Sequence, residues 1–307
     1  MKNSNSALHF ASANGHTEIV KLLFEHKCDP NVVNENRNSA LHFASANGHI
    51  QIVKLMLEHK CNPDIIDENS YSALHFSSDK GHTEIVKLLL NYKFNLNIVN
   101  KNINSALCIA ACKGHTEIVK LLLEHKCDQN TVNEEGNSAL YNASDNGHTE
   151  IVKLLLNHNF NLNIVNRNGN SALYIASCKG HTEIVKLLLE HKSKGHTEIV
   201  KLLLEHKCNP DIVDKNSNSA LYFAACKGHT EIVKLLLEHN CNLNFVNENN
   251  NLALHIASAK GHTKIVKLLL EHSSNPDIVN GDNNSALYFA SANGHTEIVK
   301  LLLEHTA

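Results

Sequence analysis

The Gly-His pair returns along this chain at a fixed interval, and that interval is the strongest constraint on its fold. It begins at Gly15 and recurs every 33 residues as far as Gly180, then again every 33 residues from Gly195 to Gly294. A second landmark, Ser-Ala-Leu, first occurs at Ser6 and keeps the same interval. A fixed period of about 20–50 residues is typical of repeat proteins, whose units bury their apolar faces only by stacking on neighbours. The interval therefore predicts nine stacked repeats rather than one globular core.

Each repeat contains the signals of two helices and a loop. In the second repeat, Ser39 stands at a helix N-cap position, and the apolar segment 40–46 ends at an Asn-Gly helix stop. The next segment, 50–59, places its apolar residues on one broad face, as an amphipathic helix does. Residues 61–72 are rich in turn formers. The predicted fold is an all-α repeat solenoid of helix-turn-helix units joined by β-hairpin-like loops.

One interval breaks the period, because Gly195 follows Gly180 after only 15 residues. The chain therefore carries two near-identical second-helix segments, Thr182–His191 and Thr197–His206, behind a single first helix. If the upstream copy packs there, the repeat that starts at Ser219 should lose its neighbour. If the downstream copy packs there, the stack should continue. One continuous helix through both copies is a third option.

We expect an array that is interrupted near residues 192–195, with both second-helix copies helical. This expectation divides the chain into two parts. Residues 1–191 would contain repeats 1–6, and residues 192–307 would contain the extra second helix and repeats 7–9.

The repeat pattern resembles the ankyrin repeat family over essentially the whole chain. Segments such as Ser-Ala-Leu-His and Ile-Val-Lys-Leu-Leu-Leu stand where that family has Thr-Pro-Leu-His and Ile-Val-x-Leu-Leu-Leu. One departure is systematic, since the family's Gly after the second helix is absent throughout. Its position is occupied by Lys27, Lys60, Lys93, Lys126, Asn159, Lys207, Asn240 and Ser273. If the position keeps a left-handed backbone, each Lys should lower stability by about 1 kcal/mol relative to Gly.

Histidine is the most tempting candidate for chemistry, since the chain has 23 copies. They fall into three ladders: after the turn Gly, at the end of the second helix, and at the close of the Ser-Ala-Leu-His motif. A zinc site needs three or four ligands converging on one point, which a ladder does not provide. The resemblance implies structural histidines that hydrogen-bond within and between repeats. We therefore predict no metal and no cofactor, and we expect the stack to lose stability when neutral imidazoles become charged in acid.

The cysteines follow the repeat in the same way. One set occupies a slot where the family has a small buried Ala, and we expect it to lie in the core: Cys28, Cys61, Cys127, Cys208 and Cys241. Three others end first helices and should be more exposed: Cys112, Cys178 and Cys226. The sequence has no phosphate-binding Gly loop and no nucleophile elbow, so we do not expect an enzyme.

Composition narrows the class of partner. The formal charge of −3 leaves no basic excess for nucleic acid, and no apolar run approaches the ~18 residues of a transmembrane helix. Nine cysteines without an export signal favour a reducing, cytoplasmic location, with a nuclear one left open. We expect protein partners, no nucleic acid and no membrane insertion. Residues 296–307 keep the apolar pattern of internal repeats, which leaves self-association through uncapped ends open.

In ankyrin repeat proteins, partners bind the concave side made of hairpin tips and first-helix ends. The positions concerned are the two before the hairpin Gly position, the one after it, and the two before Gly-His. Carried over, they give the candidate partner-binding residues Glu35, Asn36, Asn38, Glu68, Asn69, Tyr71, Asp79, Lys80, Lys101, Asn102, Lys113, Glu134, Glu135, Arg167, Asn168, Lys179, Lys215 and Lys227. The same positions include Asn137 and Asn218. Among these residues, Tyr71 is the expected central hot spot, because aromatic side chains dominate protein interfaces.

The sequence thus favours a non-enzymatic scaffold that binds a protein partner through the concave face. The alternative is a targeting or adaptor segment of a larger multidomain protein, such as a channel, a kinase or a ubiquitin-ligase adaptor.

Overall fold

The computed structural model describes residues 5–92, 95–158, 160–191 and 208–305. By its contacts the chain forms two compact units, Met1–Asn142 and Ala143–Ala307. The division at residues 191 and 192 that the doubled second helix suggests stays a prediction.

The described residues form helix pairs, one pair in each of the nine repeats. The first helices are α1 (Ala7–Ala13), α3 (Ala40–Ala46), α5 (Ala73–Lys80), α7 (Ala106–Lys113), α9 (Ala139–Asp145), α11 (Ala172–Lys179), α13 (Ala220–Lys227), α15 (Ala253–Lys260) and α17 (Ala286–Ala292). The second helices are α2 (Thr17–Glu25), α4 (Ile50–Glu58), α6 (Thr83–Leu90), α8 (Thr116–Glu124), α10 (Thr149–Leu156), α12 (Thr182–Glu190), α14 (Thr230–Glu238), α16 (Thr263–Glu271) and α18 (Thr296–His305). Each repeat is numbered after its first helix and includes the hairpin that leads into that helix.

First helices begin where the sequence predicts, directly after the Ser of the Ser-Ala-Leu motif. Ser171 has an extended backbone, and its hydroxyl accepts a hydrogen bond from the Tyr174 backbone N–H at 3.1 Å. This is the N-cap geometry, in which a side chain satisfies an N–H group that has no partner within the helix. At the other end of α11, Gly180 adopts a left-handed backbone and closes the helix.

Second helices bury one apolar face between the first helices and the neighbouring second helices. In α4, Ile52, Val53 and Met56 are completely buried. Each such side chain contributes about 1.5–3 kcal/mol by leaving water. Within Met1–Asn142, first helices pack on first helices and second helices on second helices, and Ala143–Ala307 repeats the same arrangement. The predicted all-α repeat architecture is confirmed.

The connecting segments are hairpins with isolated bridges, such as Val33 with Ser39. One Asn or Asp organises each of them. The Asn34 backbone N–H donates to the Asn38 carbonyl at 3.0 Å, and the Asn34 side-chain oxygen accepts the Asn38 N–H at 2.8 Å. Neighbouring hairpins are joined as well, because the Glu68 N–H donates to the Asn36 carbonyl at 2.9 Å. The hairpin tips therefore form a ladder held by backbone bonds.

The position after the second helix keeps its left-handed backbone although Gly is absent. The φ angle is 59° at Lys27, Lys60 and Lys126, 55° at Asn240 and 67° at Ser273. The prediction is confirmed at these five positions, while Lys93, Asn159 and Lys207 lie outside the described residues. The hairpin tips carry a second set of such angles, including 59° at the β-branched Ile103, which is the least suited residue type.

Stacking across the 15-residue surplus keeps the geometry of a regular repeat. Helix α12 buries Ile184, Val185 and Leu188, so the upstream copy packs behind α11. Helix α13 nevertheless packs on α11, and α14 packs on α12. His229 Nε2 donates to the Cys178 carbonyl at 3.3 Å, across 51 positions instead of the 36 seen between regular repeats.

The expectation that docking of the upstream copy would leave the Ser219 repeat without a neighbour is therefore wrong. The chain resumes the hairpin position at Cys208, and the Asn209 N–H reaches the Asn163 side-chain oxygen at 2.8 Å. The surplus is accommodated as one long insertion between His191 and Cys208. The interruption expected near residues 192–195, and the helical state of Thr197–His206, lie outside the described residues.

Replacing Lys126 by Gly should raise the free energy of unfolding by about 1 kcal/mol, because Gly adopts a φ of 59° without steric strain. The same change at Lys120, an exposed position inside α8, should lower it by about 1 kcal/mol. Urea unfolding followed by circular dichroism measures both values. Equal signs for the two variants would contradict the left-handed strain.

Deleting residues 192–206 should preserve folding and leave stability equal or higher. The deletion joins His191 directly to Lys207 and shortens the connection between two packed segments, which reduces the entropy lost on closing it. Thermal unfolding of the shortened chain tests this expectation. A large drop in unfolding temperature would mean that the surplus segment supplies packing that the array requires.

Candidate functional site

Histidines of the Ser-Ala-Leu-His motif act as neutral hydrogen-bond acceptors and are buried. The Ser39 backbone N–H donates to His42 Nδ1 at 2.8 Å, and the corresponding bond from Ser72 to His75 is 3.1 Å. His75 Nε2 lies 3.1 Å from the Asn104 carbonyl of the next repeat, so that nitrogen carries the proton and donates. Protonation of Nδ1 would replace its acceptor lone pair by a donor facing another donor.

Burial lowers the pKa of His42 and of His75 to about 4, although Asp67 opposes the shift at both residues. The pKa of His9 and that of His255 are lowered for the same reason. Uncharged histidine is thus the stable form at these positions in the folded chain.

Histidines that follow the turn Gly join one repeat to the previous one. His49 Nε2 donates to the Ala13 carbonyl at 3.1 Å, and His115 makes the same bond to Asp79. The imidazole also fills the space beside the preceding turn, where a Cβ added to Gly15 would lie 2.7 Å from His49 Cε1. Histidines at the end of second helices donate instead to a carbonyl four residues earlier, as His125 does to Leu121 at 2.8 Å. The predicted structural roles are confirmed for these histidines.

Most cysteines lie as predicted. Cys61, Cys127, Cys208 and Cys241 are buried, and burial raises the pKa of each thiol to about 12, which leaves them unreactive. Cys112 is exposed, and Cys178 and Cys226 are half-buried.

Cys28 contradicts the prediction, because it is exposed. Its counterpart Cys61 is covered by the repeat before it, whereas no described repeat precedes Cys28. Within the described ranges, no three His, Cys, Asp or Glu side chains are placed to hold a metal ion.

A groove of about 360 Å³ runs along the hairpin tips and first-helix ends of repeats 3–5 in the Met1–Asn142 unit. Its lining combines aromatic, apolar, thiol, amide and charged side chains: Tyr71, Asp79, Asn104, Ile109, Cys112, Lys113 and Glu135. Several of these occupy concave-face positions that the sequence singles out. Ile109 does not, although it lies three residues before Cys112 on the same helix and could have been found from that spacing.

The groove has a defined side-chain framework. The Tyr71 ring lies 5.4 Å from the Phe76 ring and 5.6 Å from the His75 ring, which fixes its orientation. Asp79 forms ion pairs with Lys80 at 3.1 Å and with Lys113 of the next repeat at 3.6 Å. Glu135 accepts a hydrogen bond from the Asn137 side chain at 3.0 Å. Charged groups of both signs therefore border an apolar floor.

All eighteen candidate partner-binding residues are exposed or half-exposed. Two other residues at the carried-over positions are not accessible, because Asn137 and Asn218 are buried. The Ala143–Ala307 unit contains its own subset, which is basic: Arg167, Lys179, Lys215 and Lys227. Lys179 pairs with Asp145 at 3.4 Å.

The sequence family described as "Ankyrin repeats (3 copies)" matches residues 1–67, 41–133, 107–194, 192–280 and 239–307. These matches together span the chain. The chain belongs to the ankyrin repeat family. No curated protein matches it significantly.

Ankyrin repeats are generally protein–protein interaction modules, and the fold is a non-catalytic scaffold. The helix-turn-helix pairs and the stacking of this chain follow that family architecture. None of the helices in the described part of the chain is long and apolar enough to cross a membrane.

Acidification should destabilise the array. Since the folded-state pKa of His42 is about 4 and the unfolded value is about 6.5, the unfolded chain binds more protons between these pH values. The stabilisation is complete above pH 6.5 and is lost as the pH falls towards 4. Between pH 7.5 and 5.5 each such histidine should remove about 1.4 kcal/mol from the free energy of unfolding.

The variant His42→Tyr isolates this effect. Tyr174 occupies the same position in repeat 6, and its hydroxyl donates to Asp214 at 3.0 Å, whose counterpart beside His42 is Asp67. Unfolding measured at several pH values should show a shallower pH dependence in this variant. His125→Tyr, at an exposed helix end, is the control. Equal pH dependence in the wild type and the His42 variant would contradict the assignment.

Proposed function

We propose that this chain binds a protein partner through its concave face, with the Tyr71 groove as the principal contact of the Met1–Asn142 unit. The observation that carries the proposal is the groove itself, which places an oriented aromatic ring, an apolar floor and charged rims within one cavity of about 360 Å³. Binding sites in proteins combine an apolar surface with a few oriented polar groups in this way.

Tyr71 supplies the anchor in this proposal. Its ring is held against Phe76 and His75, so little conformational freedom is lost when a partner packs on it. Tyrosine offers a large apolar surface with a polar tip and is enriched among interface hot spots. Ile109 extends the apolar surface deeper into the groove. A partner segment with an apolar side chain at its centre fits this arrangement.

The charges favour a partner of stated polarity. Asp79 is already paired with Lys80 and Lys113, whereas the described contact of the Glu135 carboxylate is to the neutral Asn137 amide. A basic partner residue beside the apolar anchor would meet Glu135. Exposed pairs of this kind add little affinity, but they orient the bound segment. Acidic rims also repel phosphodiesters, so we propose protein rather than nucleic acid as the partner.

The Ala143–Ala307 unit presents a different surface. Arg167, Lys215 and Lys227 are exposed, and Lys179 is paired with Asp145. We propose that this unit binds an acidic partner segment. Its contribution should weaken with added salt, because exposed charge pairs are screened.

The variant Tyr71→Ala should weaken partner binding by about 2 kcal/mol, or roughly 30-fold in Kd, as the loss of a central hot spot does. Affinity capture with quantitative mass spectrometry, using wild type, Tyr71→Ala and Tyr92→Ala in parallel, identifies the dependent proteins. Tyr92 is exposed at the end of a second helix, away from the groove, and serves as the matched control. Each protein lost only with Tyr71→Ala is then titrated against the purified chains. Equal recovery of every partner by the two variants would exclude the groove as the binding site.

A further inference from the structure

We propose that two copies of this chain bind head to tail, with the outer face of repeat 9 of one copy packing on the outer face of repeat 1 of the other. The leading face is defined by Phe10, His16 and Ile19 of repeat 1. The trailing face is defined by Tyr288, Ser291 and Gly294 of repeat 9. The proposal uses residues other than those of the concave face and does not depend on a bound partner protein.

Residues of the leading face are exposed where their internal counterparts are buried. Ile19 is 47% exposed, whereas its counterparts Ile52 and Ile85 are completely buried against the preceding repeat. Phe10 is 56% exposed. Cys28, next to this face, is exposed as well, although the corresponding cysteines of later repeats are buried. Repeat 1 thus presents an apolar surface that matches the C-terminal side of another repeat.

The trailing face shows the complementary pattern. Tyr288 is 53% exposed, whereas Tyr174 and His255 at the same position of other repeats are 5% and 2% exposed. Ser291 is exposed, and its counterpart Ser258 is buried. The trailing face therefore presents the surface that the next repeat covers elsewhere in the array.

A specific fit links the two faces. At internal junctions the imidazole after the turn Gly occupies the space beside the Gly of the previous repeat, as His295 does at Gly261, where an added Cβ would lie 2.7 Å from its ring. At Gly294 nothing lies within 4 Å of such a Cβ, so the receiving space is open. His16 is the histidine that would fill it from a second copy.

The hydrogen bond and the ring contact of the junction are available in the same pose. His295 Nε2 donates to the Ala259 carbonyl at 3.2 Å, and the corresponding carbonyl of repeat 9 is that of Ala292. Tyr174 lies 5.1 Å from Phe223 of the following repeat in an edge-to-face contact. Tyr288 and Phe10 are the same pair of residue types at the same two positions.

The sequences of the two repeats explain why the occupant is a second copy. Residues 286–305 differ from residues 7–26 only at Tyr288, where repeat 1 has His9, and at Leu303, where it has Phe24. Repeat 1 already packs on repeat 2 through these same positions. A junction of repeat 9 with repeat 1 of another copy therefore continues an interface that the chain already makes.

The junction is heterologous, because the two surfaces that meet are different. Such contacts leave one face of each type open at the ends of a dimer, so association continues beyond two copies unless it closes into a ring. Both copies lose rotational and translational freedom, which internal repeats joined by the chain do not. We expect reversible association that increases with protein concentration.

Two charge substitutions test the direction of the contact. Ile19→Glu blocks the leading face and leaves the trailing face intact, whereas Tyr288→Glu does the reverse. Sedimentation velocity over a range of concentrations should show rising mass for the wild type and 34.0 kDa, the mass of one chain, for each variant alone. An equimolar mixture of the two variants should form dimers and nothing larger, since only one matching pair of faces remains.

Matched controls carry the same changes elsewhere. Ile50→Glu and Tyr92→Glu replace exposed residues of the same types outside both faces and should associate as the wild type does. Circular dichroism confirms that each variant is folded. A wild-type chain that stays at 34.0 kDa at every concentration would overturn the proposal. So would a mixture of folded variants that stays monomeric. Neither result would affect the concave-face function, because a single chain retains that face.

Discussion

The junction between successive repeats is the interaction on which this structure depends, because no 33-residue unit can bury its own apolar face. The junction is specified by a pair of residues from different repeats. A left-handed Gly leaves space for the imidazole of the next repeat, and that imidazole donates to a carbonyl one turn away. A side chain at the Gly would collide with the ring, so the two residues constrain each other at each junction.

Stacking also accounts for the strained backbone positions that the chain tolerates. Lys60 and Ile103 adopt left-handed angles that Gly would adopt at lower energy. The local penalty is about 1 kcal/mol at each such position, whereas a second helix such as α4 buries several large apolar side chains. The burial term is larger, so the repeat keeps its conformation. The same reasoning applies to the surplus after His191, because the packing of α13 on α11 outweighs the entropy of closing a longer connection.

The sequence predicts the features that every repeat shares, and it fails where the neighbours of a residue decide its environment. Helix bounds, serine caps and structural histidines follow from the period alone. Cys28 and Cys61 occupy the same position in the period, yet only Cys61 has a described repeat packed before it. Asn137 and Asn104 likewise share a position, but only Asn137 is buried. Periodicity assigns one environment to all copies and cannot distinguish them.

Function must then arise where the repeats differ. The bonds that stack the array involve backbone groups and recurrent side chains, so the concave positions can vary without weakening it. In repeats 3–5 that freedom gives Tyr71, Ile109 and Glu135, and the groove forms where these unlike side chains are brought together. The Ala143–Ala307 unit has the same backbone framework but presents mainly cations at the corresponding positions. One repeated fold therefore carries two surfaces of different chemistry, and recognition depends on side-chain identity rather than on a difference in architecture.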